Sequence, residues 1–192
     1  QIAVILGGDG AFSEAVNGML NRTDGQTITL AHCPGGSGCS TSGNTIGVWR
    51  GTDVAKACDI ICQGKVGKMD VIKVQFPGKE TANYSISVVS GGLYTDIVDL
   101  ADRYYRWTYH IMGPTARYAF GMIHALIKYG KRDNDRLVRY TITTKDGRDE
   151  VVEVPTHGFG IYNDGRVMEH ARYTEATLGC GTMSVAIDKQ YL

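Results

Sequence analysis

ILGGDGAFSEAVNGML, residues 5–20, is the stretch whose reading decides the fold. It completes IAVIL, residues 2–6, a short β-branched run that is apolar on both faces, as a buried strand of an α/β sheet should be. GGDG stops the strand. From Ala11 onward Phe12, Ala15, Val16, Met19 and Leu20 recur at three and four, while Ser13, Glu14, Asn17 and Asn21 take the other face. That spacing predicts an amphipathic helix of about three turns. A strand-to-helix junction presents unpaired backbone amides and the positive end of a helix dipole, and glycine lets an anion approach them. A lone Gly-Asp-Gly is better explained as a tight turn in which Asp9 bonds nearby amides.

A second glycine loop alters that balance. TITLAHC, residues 27–33, reads as the next strand, and PGGSGCSTSGN, residues 34–44, follows it as a second glycine-rich loop that opens with PGGSG. Adjacent parallel strands would put both loops at one sheet edge, where α/β proteins bind nucleotides. Several named motifs fail. The chain has no Gly-Lys-Ser or Gly-Lys-Thr, so neither loop is a Walker A loop. The dinucleotide fingerprint GxGxxG needs glycine where Ser13 stands, and a GxSxG nucleophile elbow needs glycine where Cys39 stands.

The whole chain sets wider bounds. With 192 residues and 43% hydrophobic content it can build a real core, in one ordinary domain or two small ones. Twenty Lys plus Arg balance twenty Asp plus Glu, so net charge points to no nucleic-acid partner. No run reaches the roughly 18 apolar residues a membrane span needs, and no signal-peptide pattern is present. Five irregularly spaced cysteines without a CxxC pair argue against a disulfide framework and a zinc site, and favour a reducing, cytoplasmic compartment. The chain starts at Gln1 directly in an apolar run and reads as missing its beginning.

Further along, residues 52–62 have helical character. Ile72, Val74 and Phe76 alternate, as do Tyr84, Ile86 and Val88, which is the period of half-buried strands. Residues 114–129 return to helix, with Pro114 at its start and a stripe of Ala116, Ala119, Phe120, Ile123, Leu126 and Ile127. VRYTITT and DEVVEV flank Asp146-Gly147, a strong hairpin signal, and TMSVAI reads as a last strand. The expected fold class is α/β plus mainly-β. Residues 1–63 form the C-terminal part of an α/β nucleotide-binding domain, and residues 64–192 a β-rich domain containing a helix.

GGDGAFSEAVNGMLNR, with Glu14 five positions after Asp9, resembles the GGDG block of lipid kinases built on the diacylglycerol kinase catalytic domain. PGGSG resembles their second nucleotide loop. GGLYTDIVDLADRYYRW followed by TARYAF, and KMDVIKV, are similar to the ceramide kinase branch. VNGMLNR, GSG and LGCGTMSVAI look nearer to sphingosine kinases. The resemblance covers most of the chain, with only general hairpin character over 131–170. Departures are Gly35 where alanine is usual, Cys39 in place of asparagine or aspartate, and a few extra residues between Arg106 and Arg117. The family's first nucleotide motif lies upstream of GGDG and has no counterpart here.

The resemblance implies an ATP- and Mg2+-dependent kinase acting on the primary hydroxyl of a sphingoid lipid, sphingosine or ceramide. It also implies an antiparallel, sandwich-like lipid-binding second domain and peripheral membrane contact. Asp9 would be the general base. Gly7, Gly8, Gly10, Glu14, Gly35, Gly36, Ser37, Gly38, Arg106 and Arg117 would contact nucleotide, and Asp96 and Asp99 the polar head of the lipid. Metal ligands are assigned to no residue. Cys180 resembles a cysteine near the nucleotide in sphingosine kinases, although core packing explains it as well. The alternatives are a diacylglycerol kinase-type or NAD kinase-type phosphotransferase, a phosphofructokinase relative, or an inactive lipid- or nucleotide-binding module.

Overall fold

The computed structural model describes residues 1–36, 38–49, 53–130, 137–143, 146–163, 166–168, 171–172 and 184–189. They form two compact units: Gln1–Val89 with Ile161–Ser184, and Ser90–Gly160 with Val185–Leu192. The first division between units thus falls after Val89, later than the change of pattern at residue 63.

In the first unit, β1 (Ile2–Gly7) runs into α1 (Asp9–Leu20), and β2 (Thr29–Pro34) pairs parallel to β1 with Ile2 opposite Thr29 and Gly7 opposite Pro34. The helical spacing of α1 brings Phe12 and Val16 onto the strands, where they bury with Ile86 against Ile5, Leu30, Met69 and Val71. Residues alternate in direction along a strand, so Cys33 belongs to the opposite face of β2 from His32. There it packs with Val48 and Ala57, the latter from α3 (Val54–Cys62). Helices therefore cover both faces of β2, the layering of an α/β fold. β1 departs from the expectation that both its faces are buried. Ile2, Val4 and Leu6 face solvent, Leu6 by 69%. The apolar run reported hydrophobicity correctly, but α1 covers only the Ala3–Ile5 face.

The segment after PGGSG, read as loop, contains the short helix α2 (Ser40–Ile46). Two short strands, β3 (Ile72–Val74) and β4 (Asn83–Ser85), pair antiparallel as their alternation predicts. Asn17 ties β4 to α1: its side-chain Nδ2–H donates to Tyr84 O at 2.6 Å, and its Oδ1 accepts from Tyr84 N–H at 2.7 Å. Asn17→Ala leaves both backbone groups of Tyr84 without these partners. It is expected to lower unfolding free energy by about 1–3 kcal/mol in urea titration.

The second unit pairs two helices beside a sheet. β5 (Val88–Gly92), which begins in the first unit, leads into α4 (Leu93–Tyr104), a helix the alternation and motifs had not signalled. A 3-10 turn (Arg106–Thr108) and α5 (Tyr109–Met112) precede α6 (Pro114–Gly130). β6 (Leu137–Thr143) and β7 (Asp149–Tyr162) form the expected hairpin, with Leu137 opposite Pro155 and Thr143 opposite Asp149. β8 (Arg166–Met168) and β9 (Ala171–Arg172) pair with each other in the first unit. β10 (Ser184–Lys189) joins β7 and β5 in the order β10-β7-β5.

The face by which α6 packs corrects the sequence expectation. Ile123, Leu126 and Ile127 are more than half exposed, whereas Gly121 and Ala125 are buried. A Cβ on Gly121 would lie 2.6 Å from Ile97 O, so the α4 and α6 backbones meet there. Arg117 to Asp102 (3.0 Å) and Lys128 to Asp96 (2.8 Å) bridge the same two helices. Close backbone approach at the small residues outweighs the larger apolar stripe, which stays on the outside.

Candidate functional site

The two glycine loops meet. Gly35 N–H donates to Gly7 O at 2.8 Å, extending the β1–β2 pairing one residue beyond Pro34. One step further the backbones touch: a Cβ on Gly36 would sit 2.5 Å from Gly8 Cα. That distance admits glycine and nothing larger. α1 begins at once, with Phe12 N–H donating to Gly8 O. Gly7 O also accepts from His32 Nε2–H at 2.9 Å, and the imidazole stacks on Phe12 with centroids 4.8 Å apart. Its Nδ1 is buried with no partner among the described residues.

Asp9 crosses between the loops. Its Oδ2 accepts from Ser40 N–H (3.0 Å) and Ser40 Oγ–H (3.1 Å), and its Oδ1 accepts from Thr41 N–H (2.8 Å). A helix leaves its first N–H groups unpaired, and at α2 the preceding residue, Cys39, provides no side-chain cap. Asp9 supplies that cap from another element while sitting in the first turn of its own helix. The carboxylate therefore welds the GGDG turn to the segment after PGGSG. Oδ1 accepts a single bond here and keeps a lone pair for another donor.

Cys39 adopts φ 49°, a left-handed conformation unusual for a side chain other than asparagine, aspartate or glycine. Its fully buried thiol accepts from Gly36 N–H at 3.3 Å and donates to Gly36 O at 3.2 Å. Burial is the main cause that pushes this thiol up from its ordinary range, so it serves as a neutral hydrogen-bonding group.

These bonds sort the expected nucleotide amides. Gly35 and Gly36 N–H have partners inside the chain. Gly8 lies in the contact itself, whereas Gly10 and Gly38 are exposed, with open space where a Gly10 Cβ would be. Gly7 ends β1, Glu14 is exposed on α1, and Ser37 lies outside the described residues, as does Cys180. Asp96, Asp99, Arg106 and Arg117 belong to the second unit. There Asp96 pairs with Lys128, Asp99 with Arg103 at 3.2 Å, and Arg117 with Asp102 while lying on the Tyr118 ring at 4.6 Å. Arg106 is exposed in the 3-10 turn.

Ser40, Thr41 and His32 were missed as site residues. The hydroxyl pair directly after a glycine loop is a legible helix-start signal. Nothing in the spacing of His32 marks its bond to Gly7. Open glycine loops at one strand edge fit phosphate. Among the described residues no group of three or more His, Cys, Asp or Glu side chains is placed to hold a metal, and Mg2+ is assigned to none of them.

Two glycine loops at the carboxyl edge of parallel strands, with an acid between them, are the arrangement by which α/β proteins seat phosphate-bearing ligands. Residues 1–74 match the family model of the diacylglycerol kinase catalytic domain. A curated relative, sphingoid long-chain bases kinase 1 of Arabidopsis thaliana, is 28% identical over 104 residues, which is 53% of this chain and 13% of that protein. A solved structure of a diacylglycerol kinase from Bacillus anthracis str. Sterne aligns over 98% of this chain and 54% of its own, with TM-score 0.59 and 19% identity. A second structure from the same organism gives TM-score 0.62 at 22% identity, covering 98% of this chain and 56% of that one. The shared fold is thus a mixed α/β fold, and this chain spans about half the length of those structures.

Proposed function

We propose that the chain is part of an ATP-dependent lipid kinase that phosphorylates the primary hydroxyl of a sphingoid lipid, sphingosine or ceramide. The observation that carries this is the Asp9 bridge between two touching glycine loops, within a segment that matches the diacylglycerol kinase catalytic domain. Phosphoryl transfer asks mainly for positioning and charge stabilisation. Gly8, Gly10 and Gly38 supply the approach for phosphate oxygens, and Glu14 faces the nucleotide from α1. Asp9, oriented by Ser40 and Thr41, accepts the lipid hydroxyl proton through its less occupied Oδ1 as the oxygen attacks. ATP donates the phosphoryl group, and Mg2+ neutralises its phosphates when bound.

Residues 1–63 carry the nucleotide side in this reading, and residues 64–192 form the β-rich, sandwich-like lipid side. Arg106 contacts phosphate, as does Arg117 on leaving Asp102, and Asp96 and Asp99 contact the lipid head group on leaving Lys128 and Arg103. The exposed Trp107, Ile111 and Met112 support peripheral contact with a membrane from the cytoplasm. Among the described residues no helix is long and apolar enough to cross one. The sphingoid preference draws support from the Arabidopsis relative, while the family name favours diacylglycerol as the second reading. Supplying sphingosine, ceramide and diacylglycerol in mixed micelles to the full-length protein with labelled ATP separates them. A sphingoid base or ceramide is expected to be labelled at least about tenfold faster, a difference of about 1.4 kcal/mol in transition-state binding. Faster labelling of diacylglycerol would replace the sphingoid assignment.

A further inference from the structure

The far face of β2 holds a pair of thiols that the proposed chemistry does not use. Cys33 is buried there with Val48 and Ala57, and Val54, Ile60 and Ile61 of α3 pack against this cluster. Val54, Ala57, Cys58 and Ile61 fall at i, i+3, i+4 and i+7, so Cys58 shares the helix side turned to β2. Cys58 is nevertheless open to solvent, whereas Cys33 is 4% exposed. Cys58 directly follows Ala57, which packs against Cys33, and after burial it is the neighbour that holds the Cys33 thiol above its ordinary range.

We propose that Cys33 and Cys58 are a peroxide-sensitive pair that closes a reversible disulfide between β2 and α3. The exposed Cys58 thiolate attacks one oxygen of hydrogen peroxide, the O–O bond breaks, and hydroxide leaves to become water on protonation. Cys58 is then a sulfenic acid. The Cys33 sulfur attacks the Cys58 sulfur as its own proton is lost, the S–S bond forms, and the sulfenic oxygen departs as a second water. Two thiols are oxidised by two electrons, and one peroxide is reduced to two waters.

The division of roles follows from the surroundings. The accessible thiol meets the oxidant, and the buried one resolves it before further oxidation. Cys39 is excluded, being fully buried and bonded at both ends to Gly36. The closed ring would contain residues 34–57, including PGGSG and the whole of α2, so oxidation fastens the base of the second glycine loop. Because this is thiol chemistry, it stands independently of the kinase proposal.

The test treats the reduced full-length protein with hydrogen peroxide, blocks remaining thiols with an alkylating agent and maps peptides without reduction. The expected result is a peptide joining Cys33 to Cys58, a loss of two alkylated thiols, and a melting temperature several degrees higher. Dithiothreitol should reverse all three, and Cys33→Ser and Cys58→Ser should each abolish them. Should Cys58 accumulate as sulfinic acid while Cys33 remains alkylatable, or should Cys58 link to Cys62 instead, the pairing is wrong.

Discussion

Asp9→Asn is expected to slow phosphoryl transfer by about 100-fold or more, the span that a positioned general base ordinarily supplies. It is also expected to reduce stability by about 1–2 kcal/mol, the range for loss of a helix cap. Both follow from one carboxylate holding two tasks. Asparagine keeps one acceptor oxygen but turns an N–H2 group toward Ser40 or Thr41, whose N–H groups now point at another donor. The two effects separate with Ser40→Ala, which removes only the Oγ donor and leaves both backbone bonds to Asp9. That variant is expected to stay within a few-fold of the parent rate while losing about 0.5–1.5 kcal/mol. Rates should be taken well below each variant's melting temperature. If Asp9→Asn then retains the parent rate per folded molecule, Asp9 is a cap between loops and nothing more.

Gly36→Ala is the second large effect. A Cβ at position 36 would stand 2.5 Å from Gly8 Cα and 3.3 Å from Gly8 N, and both neighbours are backbone that cannot rotate away. The loops must part, the Gly35 to Gly7 hydrogen bond must stretch, and the Asp9 bridge must lengthen with them. Overpacking of this kind costs about 1–3 kcal/mol. ATP affinity is expected to fall with it. Gly10→Ala makes the contrast: its Cβ meets nothing within 4 Å, and alanine in the first turn of α1 is expected to stabilise by about 0.5–1 kcal/mol. A Gly10→Ala variant that is firmer in urea yet binds ATP more weakly would show phosphate approaching that backbone. Equal ATP affinity would remove Gly10 from the site.

The junction of strand, loop and helix was legible because three signals agreed: a β-branched run, a glycine break, and apolar residues at helical spacing. The two touching loops follow directly from parallel pairing of the strands that precede them. What the sequence concealed has physical causes. Asp9 looked like a local turn former or a base, and its bonds to Ser40 and Thr41 are contacts between residues 31 and 32 apart. α2 is one short, polar, glycine-containing helix, so its periodicity carried no signal. α4 was hidden by tyrosine- and aspartate-rich composition, and the packing face of α6 by a stripe of larger apolar residues on its other side. There the contact is made by Gly121 against Ile97 O, which hydrophobicity does not record. Asp96, Asp99 and Arg117 have Lys128, Arg103 and Asp102 as their present partners, contacts that sequence spacing does not record.

The most direct measurement is transfer of label from the γ-phosphate of ATP to an extractable lipid by the full-length protein, run beside its Asp9→Asn variant at equal folded concentration. The account predicts a labelled lipid phosphate from the parent and about 1% or less of that rate from the variant. Labelling of no lipid by the parent, or equal labelling by both proteins, would contradict it.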